Sequence, residues 1–422
     1  MIFLTTGEKI RSLRKRFGMR QQELESENIT RAFISMIENG KRGLSRDTAK
    51  LISERLNKKA MDSGIELNIN EAYLLRTPAE DAEIYCLQKL NNMPTQDEVE
   101  VIIDICKKFE LVKVEALAYK FLGDFFYKDR DLINAYINFI LSLDLYKNTE
   151  DRSKLPYLFN KLGFCKLFQE QFMEANSFFS RALYYSMIYE EEKEEKIALY
   201  NMAKCLENLK EYGKALEYIE KYLLLYDNSL SVEELAEGNI LRADCKYYTD
   251  DKESAYIIYE KLFDLLEDDN IELKSHICNS IGELYRLEGK AEKALEYFNK
   301  AEEIKGLKDK KNLSNTLIAK AGIYVKQCNY EEALNLCNKA LKLSSEYKID
   351  RNIIDCYKLI STIYSNLKDF NSLKNIYIKL LEALKTEEGY KEEKLKLYNK
   401  LALLYLEQND IEMCKKYLNM VS

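Results

Sequence analysis

CNSIGELYRLEGKAEKALEYFNKAEEI, residues 278–304, contains two helical patterns broken by Gly289 and Lys290. Gly282 sits in the first pattern and Ala294 in the second, twelve residues later. Phe298 follows one helical turn after Ala294. Small residues on two antiparallel helices let their backbones approach, and a bulky side chain one turn on fills the space beside the crossing. The stretch therefore predicts a tight α-hairpin.

The same spacing recurs along the chain. The small residue of the second helix falls at Ala135, Ala175, Ala215, Ala255, Ala294 and Ala333, and Leu373 and Cys414 continue the series at intervals of 39 to 41. Twelve residues before each stand Gly123, Gly163, Ala203, Ala243, Gly282, Ala321, Ser361 and Ala402. Four residues after each stand Phe139, Phe179, Ile219, Tyr259, Phe298, Cys337, Tyr377 and Leu418. One hairpin cannot bury its own apolar face, so a period of this length predicts stacked hairpins forming a solenoid. Pro78 and Pro94 mark the starts of two further helices, near 79–91 and 95–109, which make an irregular first hairpin. Cys165, Cys205 and Cys245 share one repeat position, which marks them as packing residues rather than metal ligands.

Gly282, Tyr285, Ala294, Phe298 and Ala301 together resemble the tetratricopeptide signature, with a period near 40 instead of 34 and no terminal proline. The resemblance covers about 114–422 and implies a right-handed tetratricopeptide-like α-solenoid. Three Pro and 14 Gly in 422 residues agree with an all-α chain.

Upstream, residues 6–56 read TGEKIRSLRKRFGMRQQELESENITRAFISMIENGKRGLSRDTAKLISERL. Ile10, Leu13 and Phe17 give the first helix an apolar face. Gln21 to Glu25 form a second short helix with Leu24 inward, and Asn28 and Ile29 a turn. Thr30 caps a third helix that buries Phe33, Ile34 and Ile37 and ends at Gly40. Ser45 or Asp47 caps a fourth, with Ala49, Ile52 and Leu56 inside. Residues 1–60 carry 14 Lys/Arg and 7 Asp/Glu, a net +7, so the rest of a chain of net −7 carries −14. A basic head on an acidic body is the charge asymmetry of a DNA reader.

This stretch resembles the Xre/Cro helix-turn-helix domain, one residue shorter between Leu24 and Ile29 than the usual member. The resemblance implies that Thr30, Arg31, Ala32 and Ser35 face base edges. It places Gln21, Asn39, Lys41 and Arg42 near phosphates. The expected domains are a helix-turn-helix head at 1–60, a linker at 61–78 and a repeat domain at 79–422.

The residues offer little to a catalyst. There is one histidine, His276, and no Gly-rich phosphate loop, GxSxG or HExxH motif. The acidic run Glu190 to Glu195 reads as a solvated helix end. No CxxC pair is present, so no metal or cofactor is expected, and the thiols read as reduced and mostly buried. No apolar run is long enough to span a bilayer and no secretory pattern opens the chain, so a cytoplasmic protein is expected.

The first helix of each repeat lines a solenoid's concave face. Counting back from the repeat marker places Lys120, Asp124, Asn160, Lys161, Asn201, Lys204, Asp244, Asn279, Glu283, Lys358 and Asn399 there. An Asn amide pairs with an extended peptide backbone in both directions. Lys120, Asn160, Asn201, Lys204, Asp244, Asn279 and Glu283 are therefore the candidate peptide contacts. The plainer alternative is a polar, wet interior whose asparagines bond to neighbouring helices.

A helix-turn-helix head joined to tetratricopeptide repeats resembles the RRNPP family of peptide-sensing regulators, with its Rgg, PlcR, NprR and PrgX types, and RstA-type regulators as a subgroup. The resemblance implies a non-enzymatic quorum-sensing transcription factor. Its partners would be double-stranded DNA and a signalling oligopeptide, and it would act on sporulation, virulence or competence genes. A homodimer is expected, with Tyr398, Leu401, Leu404 and Tyr405 of the last repeat contributing. Two alternatives stay open at this level: a Rap-like phosphorelay modulator that binds a response regulator, and a DNA-binding scaffold with no peptide ligand.

Overall fold

The computed structural model describes residues 2–27, 29–267, 270–308, 310–384 and 391–420; Asn28 of the expected turn lies outside them. The described residues are overwhelmingly helical. They fall into two compact units, residues 1–209 and 210–422.

The first unit begins with the head: α1 (Thr6–Arg16), a 3-10 turn (Gln21–Leu24), α2 (Arg31–Glu38), α3 (Arg46–Asp62) and α4 (Glu71–Leu75). The starts are capped as the sequence reads. The Thr5 and Glu8 side chains form a capping box on α1, Thr30 accepts from the Phe33 amide, and Ser45, not Asp47, accepts from the Thr48 amide. Gly40 follows α2 at φ +69°, a conformation that costs a residue without Cβ little. Ile10, Leu24, Ile34, Ile37, Ala49, Ile52 and Leu56 close the core, and Phe33 packs at its edge.

Two expectations change in the head. The second helix is a single 3-10 turn. Residues 61–78, expected as a linker, are mostly head: α3 runs on to Asp62, Leu74 is fully buried, and Leu67, Ile69, Tyr73 and Leu75 pack against the same core. Asn57 holds the extended part, donating to the Ile69 carbonyl at 2.7 Å and accepting from its amide at 3.1 Å. One side-chain amide thus satisfies a backbone that has no helix to do so.

The unit continues with α5 (Pro78–Asn91), α6 (Gln96–Phe109), α7 (Val112–Lys128), α8 (Leu132–Lys147), α9 (Leu155–Phe168), α10 (Phe172–Tyr189) and α11 (Glu192–Asn208). The head is fixed to this stack. The Lys9 side chain is only 2% exposed; its ammonium donates to the Tyr73 and Arg76 carbonyls at 3.0 and 2.7 Å and pairs with Asp81 of α5. Phe3 stands edge-on to Tyr85 of α5 and Phe109 of α6.

The second unit holds α12 (Tyr212–Tyr226), α13 (Val232–Tyr248), α14 (Lys252–Leu265), α15 (Ile271–Leu287), α16 (Ala291–Lys308), α17 (Lys310–Lys326), α18 (Tyr330–Glu346), α19 (Asp350–Leu367), α20 (Phe370–Ala383), α21 (Lys391–Glu407) and α22 (Ile411–Leu418). Every repeat marker from Ala135 to Cys414 is buried. The fold is all-α, a helix-turn-helix bundle followed by tetratricopeptide-like solenoid repeats.

Leu418 is a correction, being 49% exposed. The short α22 ends there, and Tyr417, three residues after Cys414, takes the core place against Tyr405. Tyr398, Leu401, Leu404 and Tyr405, expected at a dimer surface, belong to the same core. The apolar side chains that this end of the unit does expose include Leu403, Leu406, Ile411 and Leu418.

Candidate DNA interface and peptide groove

The outward face of α2 is built from behind. Glu38 is buried and takes a two-pronged bond from Arg14, at 2.6 and 2.9 Å, while Gln21 donates to it at 2.9 Å. Burial opposes the Glu38 charge, but the Arg14 and Gln21 bonds outweigh it and hold the carboxyl below its ordinary value. Arg14 also donates to the Met19 carbonyl at 2.7 Å. This network ties α1, the 3-10 turn and α2 into one body.

On that body Thr30, Arg31 and Ala32 are exposed at the start of α2, and Ser35 is half-exposed one turn along. The Arg31 amide is bound by Glu25 at 2.8 Å, which leaves its guanidinium outside. Asn39 folds back onto the Ser35 carbonyl at 2.8 Å. Lys41 is exposed, and Arg42, also exposed, lies over the Phe33 ring at 4.9 Å. Gln21 departs from expectation: its carboxamide is half-buried and committed to Glu38, so it positions α2.

The candidate peptide contacts divide by burial. In the first unit Asn160 is 1% exposed and donates to both the Glu194 carbonyl and carboxylate, at 2.9 and 2.8 Å. Its Oδ1 is buried without a hydrogen-bond partner among the described residues. Glu194, expected as solvated, is drawn inward by that amide. Asn201 is buried and donates to the Ile197 carbonyl at 2.7 Å. Lys120 pairs with Asp124 at 2.9 Å, and Lys204 is exposed. In the second unit Asp244 accepts from the Tyr259 hydroxyl at 2.7 Å, and burial pushes its carboxyl up to about 6. Asn279 accepts from Thr316 at 2.9 Å, and Glu283 from Arg286 at 2.6 Å.

Each unit contains clefts that these residues line. In the first, a cleft of 550 Å³ lies between Met93, Pro94, Phe121, Phe125, Tyr127 and Tyr157, with Asp124 and Lys161 in its wall. In the second, Asn279 lines a polar pocket of 310 Å³ with His276, Asn312 and Asn315, and Glu283 lines another of 310 Å³ with Lys358. These volumes suit side chains or short chain segments. The sequence spacing missed the tyrosine pair of the larger cleft, because Tyr127 and Tyr157 lie outside the counted positions.

The head matches the family model of a helix-turn-helix domain over residues 7–60, and residues 197–229, 275–306 and 395–419 match the tetratricopeptide repeat. The build is a helix-turn-helix head followed by tetratricopeptide repeats. Response regulator aspartate phosphatase A of Bacillus subtilis (strain 168) is 24% identical over 232 residues, 53% of this chain and 60% of that protein's length. Among solved structures, the apo form of the quorum sensor NprR from B. thuringiensis is similar at a TM-score of 0.54 and 17% identity, over 81% of this chain and 97% of that one. NprR in complex with its cognate peptide NprX gives 0.50 at 17% identity, over 81% and 98%. These likenesses concern the fold. Among the described residues, no helix is long and apolar enough to cross a membrane.

Proposed function

We propose that this chain is a peptide-responsive, non-enzymatic transcriptional regulator of the cytoplasm. Its head binds operator DNA as half of a homodimer, and its repeats bind an oligopeptide. One observation carries the reading: α2 buries one face and exposes Thr30, Arg31 and Ala32 on the other, in a basic head anchored through Lys9 to the first repeat hairpin. A helix so presented enters a major groove with its N-terminal residues at base edges. Lys41 and Arg42 would meet phosphates, and Asn39 would support Ser35. For the peptide, Lys120, Lys204, Asn279 and Glu283 keep accessible polar groups.

The test is a gel shift on operator candidates upstream of the gene, with and without peptides from adjacent short reading frames. Arg31→Ala should weaken specific binding; Lys41→Ala should weaken binding to all duplexes alike. Unchanged affinity in both variants would refute the assignment. The likeness to a response regulator aspartate phosphatase favours one second reading, in which the repeats bind a response regulator. Capture of a purified response regulator by the chain without peptide supports that reading.

A further inference from the structure

The 550 Å³ cleft of the first unit sets a lysine among aromatic rings. Its basic groups are Lys161 and, exposed at the rim, Lys128, with Lys120 behind them against Asp124 and the Tyr157 ring. Its acid is Asp124, with Glu194 packed nearby. Asp124 is already spent: it pairs with Lys120 at 2.9 Å and accepts from the Tyr157 hydroxyl. Glu194 takes the Asn160 amide at 2.8 Å, and its charge, like that of Asp124, favours the Lys161 ammonium without touching it.

Lys161 is different. It is half-buried, and its ammonium lies 4.4 Å from the Tyr127 ring centre and 5.3 Å from that of Tyr157. Among the described residues it has no ion-pair or hydrogen-bond partner. The ring faces hold the cation in place but supply neither a counter-charge nor an acceptor for its three N–H groups. Removal from water pushes its pKa down, with Lys120 adding to the shift and Asp124 and Glu194 opposing it.

We propose that this cleft takes a carboxylate carried on an aromatic or other apolar body, with Lys161 as its counter-ion. One carboxylate balances one unpaired ammonium. A dianion would need a second desolvated cation, and the remaining one, Lys128, stands in solvent at the rim. Met93, Pro94, Phe121 and Phe125 supply the apolar wall for the body behind the acid. Two sources share this chemistry: the C-terminal residue of the oligopeptide proposed above, in which case the inference rests on that reading, and a free aryl or acyl acid.

The experiment titrates the full chain by calorimetry with N-acetyl-phenylalanine and its carboxamide, then with a short peptide ending in phenylalanine as free acid or amide. A charge-assisted bond lost in the amide predicts about a tenfold weaker affinity than the acid. Lys161→Met should abolish that preference, and Lys128→Met should keep it. Equal binding of acid and amide to the native chain overturns the proposal whatever the variants do, as does a preference that survives in Lys161→Met. The arms also separate the two ideas. Acid-selective binding of the amino-acid probe, with no response to peptides, keeps the cleft and removes the peptide reading. Peptides that bind regardless of amidation, while both amino-acid probes fail, keep the peptide reading and remove this one.

Discussion

A Cβ atom added to Gly282 would stand 2.8 Å from the ring of Phe298. The same clash, at 2.6 and 2.7 Å, faces Gly123 against Phe139 and Gly163 against Phe179. The bulky residue is thus the reason for the small one, because the ring lies flat in the space that a side chain would need.

Gly282→Ala should therefore destabilise, although alanine is the better helix former by about 1 kcal/mol. The ring is 1% exposed and has nowhere to move, so overpacking should cost roughly 1–3 kcal/mol. Gly322 also lies within a helix, but a Cβ added there would meet nothing within 4 Å, and Gly322→Ala should stabilise. Thermal melts that move in the same direction for both variants would remove the packing argument.

Lys9 makes a second expectation. Lys9→Met leaves two carbonyls without their donor and Asp81 with Arg76 as its remaining partner, a loss of about 1–3 kcal/mol. The head should loosen from α5, so limited proteolysis within residues 61–78 should accelerate. Lys50→Met, on the exposed face of α3, is the control and should leave the cleavage rate unchanged.

The repeat markers are legible in the sequence because one physical requirement, two helices crossing closely, recurs every 39 to 41 residues and leaves an alanine at the first six of them. The head is legible through its caps, which are local. What escapes has no period. The extended part of 61–78 is held by Asn57, twelve residues from Ile69, and no sequence window links them. Gln21 and Glu194 look outward in the sequence because residues in polar runs usually are; Glu38 and Asn160 draw them in from elsewhere in the chain. Leu401 and Leu404 look available for pairing in the sequence, yet they share a core with Cys414 and Tyr417 of α22.

Asp244 gives a pH dependence with a definite sign. Its carboxyl rises from 3.8 to about 6 in the folded chain through burial, only partly opposed by the Tyr259 hydroxyl. A raised acid binds its proton more tightly when folded. Its contribution is thus fully present below pH 3.8 and is lost as pH rises through about 6. Asp244→Asn, which keeps an acceptor for Tyr259, should stabilise by about 3 kcal/mol above pH 7 and by only about 0.5 kcal/mol at pH 4. Denaturant melts at the two pH values check this; an equal effect at both would mean the carboxyl is ionised in the fold with no penalty.

Asn160 and Asn279 stand at equivalent repeat positions, and the structure gives them unequal work. Asn160 bridges α9 to α11 through two bonds to Glu194, out of contact with solvent. Removing that donor leaves a carboxylate and a carbonyl buried without it, a loss of roughly 1–3 kcal/mol. Asn279 is half-exposed in a polar pocket, and its one bond comes from a threonine hydroxyl that can turn elsewhere. Asn160→Ala should consequently lower the melting temperature by several degrees. Asn279→Ala should leave it nearly unchanged and instead weaken any peptide that lies in its pocket, by about threefold to tenfold for one net hydrogen bond. Asn160→Asp is sharper still, since it sets a second carboxylate against Glu194 and should melt below Asn160→Ala at neutral pH. If Asn160→Ala kept the native melting temperature while losing peptide affinity, the residue would be a ligand contact and the bridge to Glu194 incidental.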